Sequence, residues 1–161
     1  MPLTRYEGSY TAAADGRFVI VAARFNEFVV ERLLDGALDC LRRHAVPDDR
    51  IVLVRTPGAF ELPNVCKRMA LAPETVAVLA LGCVIRGATP HFDYVCSSAA
   101  SGCAQVALES GKPVIFGVLT TDTIEQAIER AGTKSGNKGA DAALAALEMV
   151  QLHRALSGAG Y

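Results

Sequence analysis

The sequence has no tryptophan, no apolar run of membrane-spanning length and almost no net charge. Each absence removes a class of function. A membrane-spanning helix needs about 20 consecutive apolar residues, so none is expected. The opening stretch MPLTRYEGSYTAAADGR lacks the apolar core of a secretory signal, which points to the cytoplasm. A net charge of −1 provides no chain-wide field for nucleic acid or an anionic membrane, so a charged ligand must be recognised locally. The five cysteines (Cys40, Cys66, Cys83, Cys96 and Cys103) are odd in number and contain no CxxC pair. They indicate neither a disulfide framework nor a zinc site and read as small apolar filler in a reducing compartment. The histidines form no HExxH-type pair.

What is present suits one compact domain with a real core, since 51% of the 161 residues are hydrophobic. Four short apolar runs punctuate the chain: Phe18–Ala23, Ile51–Val54, Val76–Leu81 and Val114–Leu119. They are continuous rather than alternating, as in strands covered on both faces. Between them lie helix-length segments. Glu27–His44 carries Val30, Leu33, Leu34, Leu38 and Leu41 on one stripe. Phe60–Leu71, Phe92–Ser110, 123–131 and Lys138–Leu156 are the other expected helices, with the turn-rich linker GTKSGN before the last. Strand–helix alternation predicts an α/β fold, a parallel sheet with helices on both faces. Residues 1–17 are expected as an N-terminal arm and 18–161 as the single domain. Four strands leave two open edges, and the last helix is apolar around most of its circumference, which together favour a homo-oligomer.

Ligands of such sheets bind beyond the carboxyl ends of the strands. Four loops occupy that edge: Arg24–Asn26, Arg55–Glu61, Gly82–His91 and Thr120–Asp122. In the third, Thr89 and Pro90 read as a helix cap and first helical residue, with free amides suited to an anion and His91 in the first turn as a proton carrier. The loop alone is equally compatible with a plain cap and a surface histidine. Arg130, Lys134 and Lys138 form a second cationic group. GTKSGNKG is not a P-loop, because no Gly-Lys-Ser/Thr follows and it succeeds a helix rather than a strand. Taken alone it reads as a solvated turn paired with Glu125 and Glu129. No GxGxxG follows the first strand, no paired acids end it, and no Gly-x-Ser-x-Gly elbow occurs. Cys96 and Cys103 read as helix packing rather than nucleophiles.

Arg24-Phe25-Asn26, Gly58-Ala59-Phe60-Glu61-Leu62-Pro63, VIRGATPHFDYV from Val84, GVLTTDTIEQAIERAGTK from Gly117 and GNKGADAA from Gly136 stand in the order and spacing of one family. From about Phe18 to the last helix the chain resembles the lumazine synthases. The resemblance implies a flavodoxin-like three-layer α-β-α sandwich whose four-stranded parallel sheet runs in order 2-1-3-4. It implies condensation of 5-amino-6-(D-ribitylamino)uracil with 3,4-dihydroxy-2-butanone 4-phosphate, without metal or organic cofactor. Carried over by position, Phe25 stacks on the pyrimidine. Ala59, Phe60 and Glu61 hold the ribityl side, and Cys83, Val84 and Ile85 line the pyrimidine pocket. Ala88 and Thr89 bind the phosphate, and His91 carries protons. Phe116 closes the ring pocket, Arg130 pairs with the phosphate, Lys138 is a second cation and Asp141 supports it. With no tryptophan, ring stacking rests on phenylalanine. The expected assembly is a homopentamer built into an icosahedral shell, with room for an encapsulated riboflavin synthase and no nucleic-acid or membrane partner.

Each site is expected to straddle two subunits, with Phe25, Glu61 and His91 from one and Phe116, Arg130 and Lys138 from its neighbour. Three other readings compete. A paralogous riboflavin synthase would not need the phosphate-binding residues. A non-catalytic shell would not need Phe25, His91 and Arg130. A flavodoxin-like flavin carrier would be yellow as purified.

Overall fold

The computed structural model describes residues 2–12 and 15–161. Its elements alternate as expected: β1 (Arg17–Ala23), α1 (Glu27–Arg43), β2 (Ile51–Thr56), α2 (Leu62–Ala70), β3 (Thr75–Ile85), α3 (His91–Ser110), β4 (Val114–Thr121), α4 (Ile124–Glu129), β5 (Ala131–Thr133), β6 (Gly136–Asn137) and α5 (Lys138–Gly158). The first four strands form one parallel sheet in the order β2-β1-β3-β4.

The central strands explain the unbroken apolar runs. In β1, Phe18, Ile20 and Ala22 face a core shared with α1 and α5, while Val19, Val21 and Ala23 face one shared with α2 and α3. β3 does the same with Ala77, Leu79 and Leu81 on one side and Val78 and Ala80 on the other. Burying a side chain of leucine size contributes about 1.5–3 kcal/mol, so both faces must be apolar when helices cover both. The edge strands differ, since β2 leaves Leu53 and β4 leaves Phe116 more than a third exposed.

Several boundaries differ from the expectation. β3 runs to Ile85 and β4 to Thr121 because their ladder continues from Gly82↔Val118 to Ile85↔Thr121, past the end of the apolar runs. Cys83, Val84, Ile85, Thr120 and Thr121 therefore sit on strands and not in loops. The helix expected over 123–131 is shorter, and the linker folds into the antiparallel β5–β6 hairpin. Residues 59–61 form a 3-10 turn before α2, which holds Pro63 in its first turn, where a missing amide costs nothing.

The buried face of α5 is one stripe: Gly139, Ala142, Ala143, Ala146, Leu147 and Val150. Its start is pressed against α1. A Cβ on Gly139 would lie 1.8 Å from the Leu33 carbonyl oxygen, and one on Gly36 would lie 2.4 Å from the Asn137 side chain. Asn137 caps the helix, its Oδ1 accepting from the Gly139 and Ala140 amides at 2.8 and 3.1 Å while its Nδ2 donates to the Arg32 carbonyl. The described part of the expected arm lies along α5, where Gly8 approaches Glu148 and the Gln151 amide donates to Thr11. Residues 1, 13 and 14 of that arm lie outside the described residues. Among the described residues no helix is long and apolar enough to cross a membrane.

Candidate active site at the carboxyl ends of the strands

After β1 the chain pairs with the loop beyond β2. The Arg24 amide donates to the Thr56 carbonyl at 2.8 Å and the Phe25 amide to the Pro57 carbonyl at 3.0 Å. Asn26 follows in the left-handed region with φ 60°, which asparagine tolerates better than most residues. Its side-chain amide donates to the Cys83 carbonyl at 2.8 Å, locking this loop to β3. With its backbone held on both sides, the Phe25 ring stands free and 71% exposed.

The second loop is held by its own side chains. The Thr56 hydroxyl donates to the Gly58 carbonyl, and the Glu61 carboxylate accepts from the Gly58 amide at 3.1 Å. A Cβ on Gly58 would reach to 3.3 Å of that carboxylate, so glycine keeps Glu61 in place. Ala59 is buried beneath the turn and Phe60 is exposed on it.

Cys83 ends the buried part of β3. Burial pushes its thiol up to about 11, so near neutral pH it is an uncharged lining group and not a nucleophile. Burial likewise raises the Cys40 and Cys96 thiols. Cys66 and Cys103 share a hydrogen bond between α2 and α3 that raises Cys66 and lowers Cys103, and both are buried away from the cavity.

The third loop departs from the expected cap. α3 begins at His91, one residue later than Thr89–Pro90 implied. Pro90 holds the cap position with φ −65° and ψ −4°, and no side chain caps the helix. Proline's fixed φ fits either position, which is why the sequence pattern misplaced the start. Among the described residues the amides of Gly87, Ala88 and Thr89 carry no hydrogen bond. Arg86, just before them, donates to Asp122 at 2.9 Å and to Asp93 at 3.3 Å, and its guanidinium lies 4.3 Å over the Phe92 ring.

These loops enclose a cavity of about 650 Å³, within the range of small-molecule sites. Phe25, Ala59, Phe60, Glu61, Cys83, Val84, Ile85, Thr89 and His91 line it, so nine expected site residues meet in one place. Asn26, Phe92 and Val95 also line it and were not singled out from the sequence. Their signal was present: Asn26 is the turn residue after Phe25, and Val95 follows His91 by one helical turn.

Ala88, Phe116, Arg130 and Lys138 do not line the cavity. Phe116 stands on the outer edge of the sheet. Arg130 closes α4, donates to the Gln126 carbonyl at 3.0 Å and lies 3.7 Å from Glu129. Lys138 is beside it, its amide donating to the Arg130 carbonyl and its ammonium pairing with Asp141 at 2.8 Å. The hairpin thus joins Arg130 and Lys138 through their backbones, and neither residue lines the cavity of their own chain.

The fold and the cavity define a flavodoxin-like α/β protein with a small-molecule-sized cavity at the carboxyl ends of its strands. Residues 15–154 match the family model of 6,7-dimethyl-8-ribityllumazine synthase. Proteins of that name from Halorhodospira halophila, Chlorobium phaeobacteroides and Chlorobium luteolum are 58%, 56% and 55% identical to this chain. The aligned regions cover 93–96% of this chain and 96–99% of theirs. The chain belongs to the 6,7-dimethyl-8-ribityllumazine synthase family.

Proposed function

We infer that the chain condenses 5-amino-6-(D-ribitylamino)uracil with 3,4-dihydroxy-2-butanone 4-phosphate. The products are 6,7-dimethyl-8-ribityllumazine, phosphate and water, in the penultimate step of riboflavin biosynthesis. The observation that carries this reading, beside family membership, is the composition of the cavity. It joins a free phenylalanine ring, a carboxylate, an apolar floor, unpaired amides and a histidine.

Each feature answers a need of the chemistry. The 5-amino nitrogen attacks the ketone, and water leaves as the imine forms. Phosphate is then expelled, and the ribitylamino nitrogen closes the second ring with loss of another water. Phe25 stacks on the pyrimidine, over the floor made by Cys83, Val84 and Ile85. Ala59, Phe60 and Glu61 hold the ribityl chain. Ala88 and Thr89 offer amides at a helix start to the phosphate, where the helix dipole favours an anion. His91 carries the protons. Holding two substrates in register lowers a barrier by about 7–11 kcal/mol, whereas a general acid or base adds about 10²–10⁴-fold. Positioning therefore outranks His91 as the source of rate. Purified protein given both substrates should produce lumazine absorbance and phosphate in equal amounts. Neither product forming would overturn the reading.

Phe116, Arg130 and Lys138 belong to the same site through a neighbouring copy. Their position outside their own chain's cavity supports this, as do the open sheet edges. In a head-to-tail ring one surface meets a different surface of the next copy, so two half-sites meet at every contact. Arg130 and Lys138 then grip the leaving phosphate, arginine by its planar fork. The ring is a homopentamer and the pentamers close an icosahedral shell in the cytoplasm, large enough to enclose a riboflavin synthase. Phe25→Ala/His91→Ala chains refolded together with Arg130→Ala/Lys138→Ala chains should be more active than either alone. Activity at the parental level in confirmed mixed rings would refute sharing. Light scattering that found only a monomer or dimer would remove the ring, and a lone pentamer would remove the shell.

A further inference from the structure

We propose that Arg86 is a positioning residue for this reaction, a clamp that fixes the start of α3, and with it His91, against the ends of β3 and β4. This rests on His91 as the proton carrier. Arg86 does not line the cavity, so it acts through what it holds. Its backbone amide donates to the Thr121 carbonyl at 2.9 Å, which continues the β3–β4 ladder by one rung. From that fixed point its side chain reaches two other elements. Nε donates to Asp122 just after β4, and Nη1 donates to Asp93 in the first turn of α3. The guanidinium covers Phe92, which lines the cavity between His91 and Asp93.

The need for a clamp follows from how α3 begins. No side chain caps it, and a Cβ at Gly87 would touch nothing within 4 Å, so packing does not hold the loop. Residues 86–91 are all exposed. The Arg86 side chain therefore supplies the tie between the sheet and the first turn. A planar fork serving two carboxylates while stacking on a ring fixes orientation as well as distance, which a point charge cannot do. The pair is exposed, so its contribution to overall stability is small. Its consequence is geometric, and small misplacements of a reacting group cost rate.

The test is a double-mutant cycle in steady-state kinetics. Arg86→Gln should lower kcat about tenfold, as expected when a proton carrier is displaced, and leave KM for the pyrimidine within about threefold. The thermal midpoint should move little. In the His91→Ala background the same change should cost less than about twofold, because what it positions is gone. Arg86→Lys should stay within about threefold of Arg86→Gln, since it retains charge without the fork. Asp122→Asn, which removes one anchor, should show the same dependence on His91 with a smaller loss. Equal losses in both backgrounds would overturn the clamp and leave His91 its role. Full recovery by lysine would also overturn it. If His91→Ala has no effect on wild-type turnover, the reading of the site falls and the clamp falls with it.

Discussion

Two helix starts in this molecule resemble each other in sequence and are built for opposite purposes. Both follow a loop rich in small residues, and both lie near proposed phosphate ligands. At α5, Asn137 satisfies the Gly139 and Ala140 amides, Gly139 lets the helix approach the α1 backbone at Leu33, and Gly36 makes room for the Asn137 side chain. At α3 no side chain caps the helix, the amides before it are unpaired and the loop packs against nothing at Gly87. The first start satisfies its donors within the fold, and the second leaves the amides of Gly87, Ala88 and Thr89 without a partner among the described residues. A glycine-rich sequence is thus no guide to phosphate binding until the partners of its amides are known.

Gly139→Ala should break the α5 start most severely. Its new methyl collides with a backbone carbonyl, which cannot yield as a side chain could. We expect a loss near the upper end of overpacking costs, about 3 kcal/mol, read as a thermal midpoint lower by about 6–12 °C. A change within error would mean that the two helices are not in contact there. His91→Ala, at the other start, should leave the midpoint unchanged and lower kcat about 10²-fold, the low end for a lost acid–base group. Complete inactivity with substrate binding intact would reverse the ranking of positioning above proton transfer.

Arg130→Ala sharpens the comparison at the proposed phosphate ligand outside the cavity. A hydrogen bond to a charged group contributes about 1.5–3 kcal/mol, so kcat/KM for the butanone phosphate should fall roughly ten- to a hundredfold. The pyrimidine should be affected far less. Equal weakening of both substrates would make Arg130 a structural residue of the α4–β5 turn. The smallest effect on stability should come from Gly87→Ala. Its methyl meets open space, so stability should stay within about 0.5 kcal/mol in a denaturant titration. A raised KM for the phosphate substrate alone would place the ligand beside that amide.

Nine of the expected site residues share one cavity because three sequence motifs each end a parallel strand, and parallel strands bring their carboxyl ends to one edge. The misplaced start of α3 has a local cause, since Pro90 satisfies the dihedral rule on either side of the boundary. The hairpin in GTKSGN has a different cause. Turn residues mark where a chain reverses, but the paired hairpin that joins Ala131 to Asn137 lies against α1, a helix far away in sequence. Asn26 was legible as a turn residue. Its bond to the Cys83 carbonyl, 57 positions away, was not.

The amino-acid sequence by itself determined the class of fold, the four strands of the parallel sheet and which side chains are candidates for the chemistry. Short continuous apolar runs alternating with helix-length amphipathic segments mark strands covered on both faces, and the motifs carry the ring, carboxylate and histidine at fixed spacing. Only the tertiary structure decided which groups share the cavity and which amides remain unpaired. It set Phe116, Arg130 and Lys138 apart from Phe25 and His91, and it placed Arg86 between two carboxylates from separate elements. Side-chain type and local backbone preference are properties of short segments. Whether an amide is satisfied, or a cation faces a cavity, depends on which distant segment packs against it.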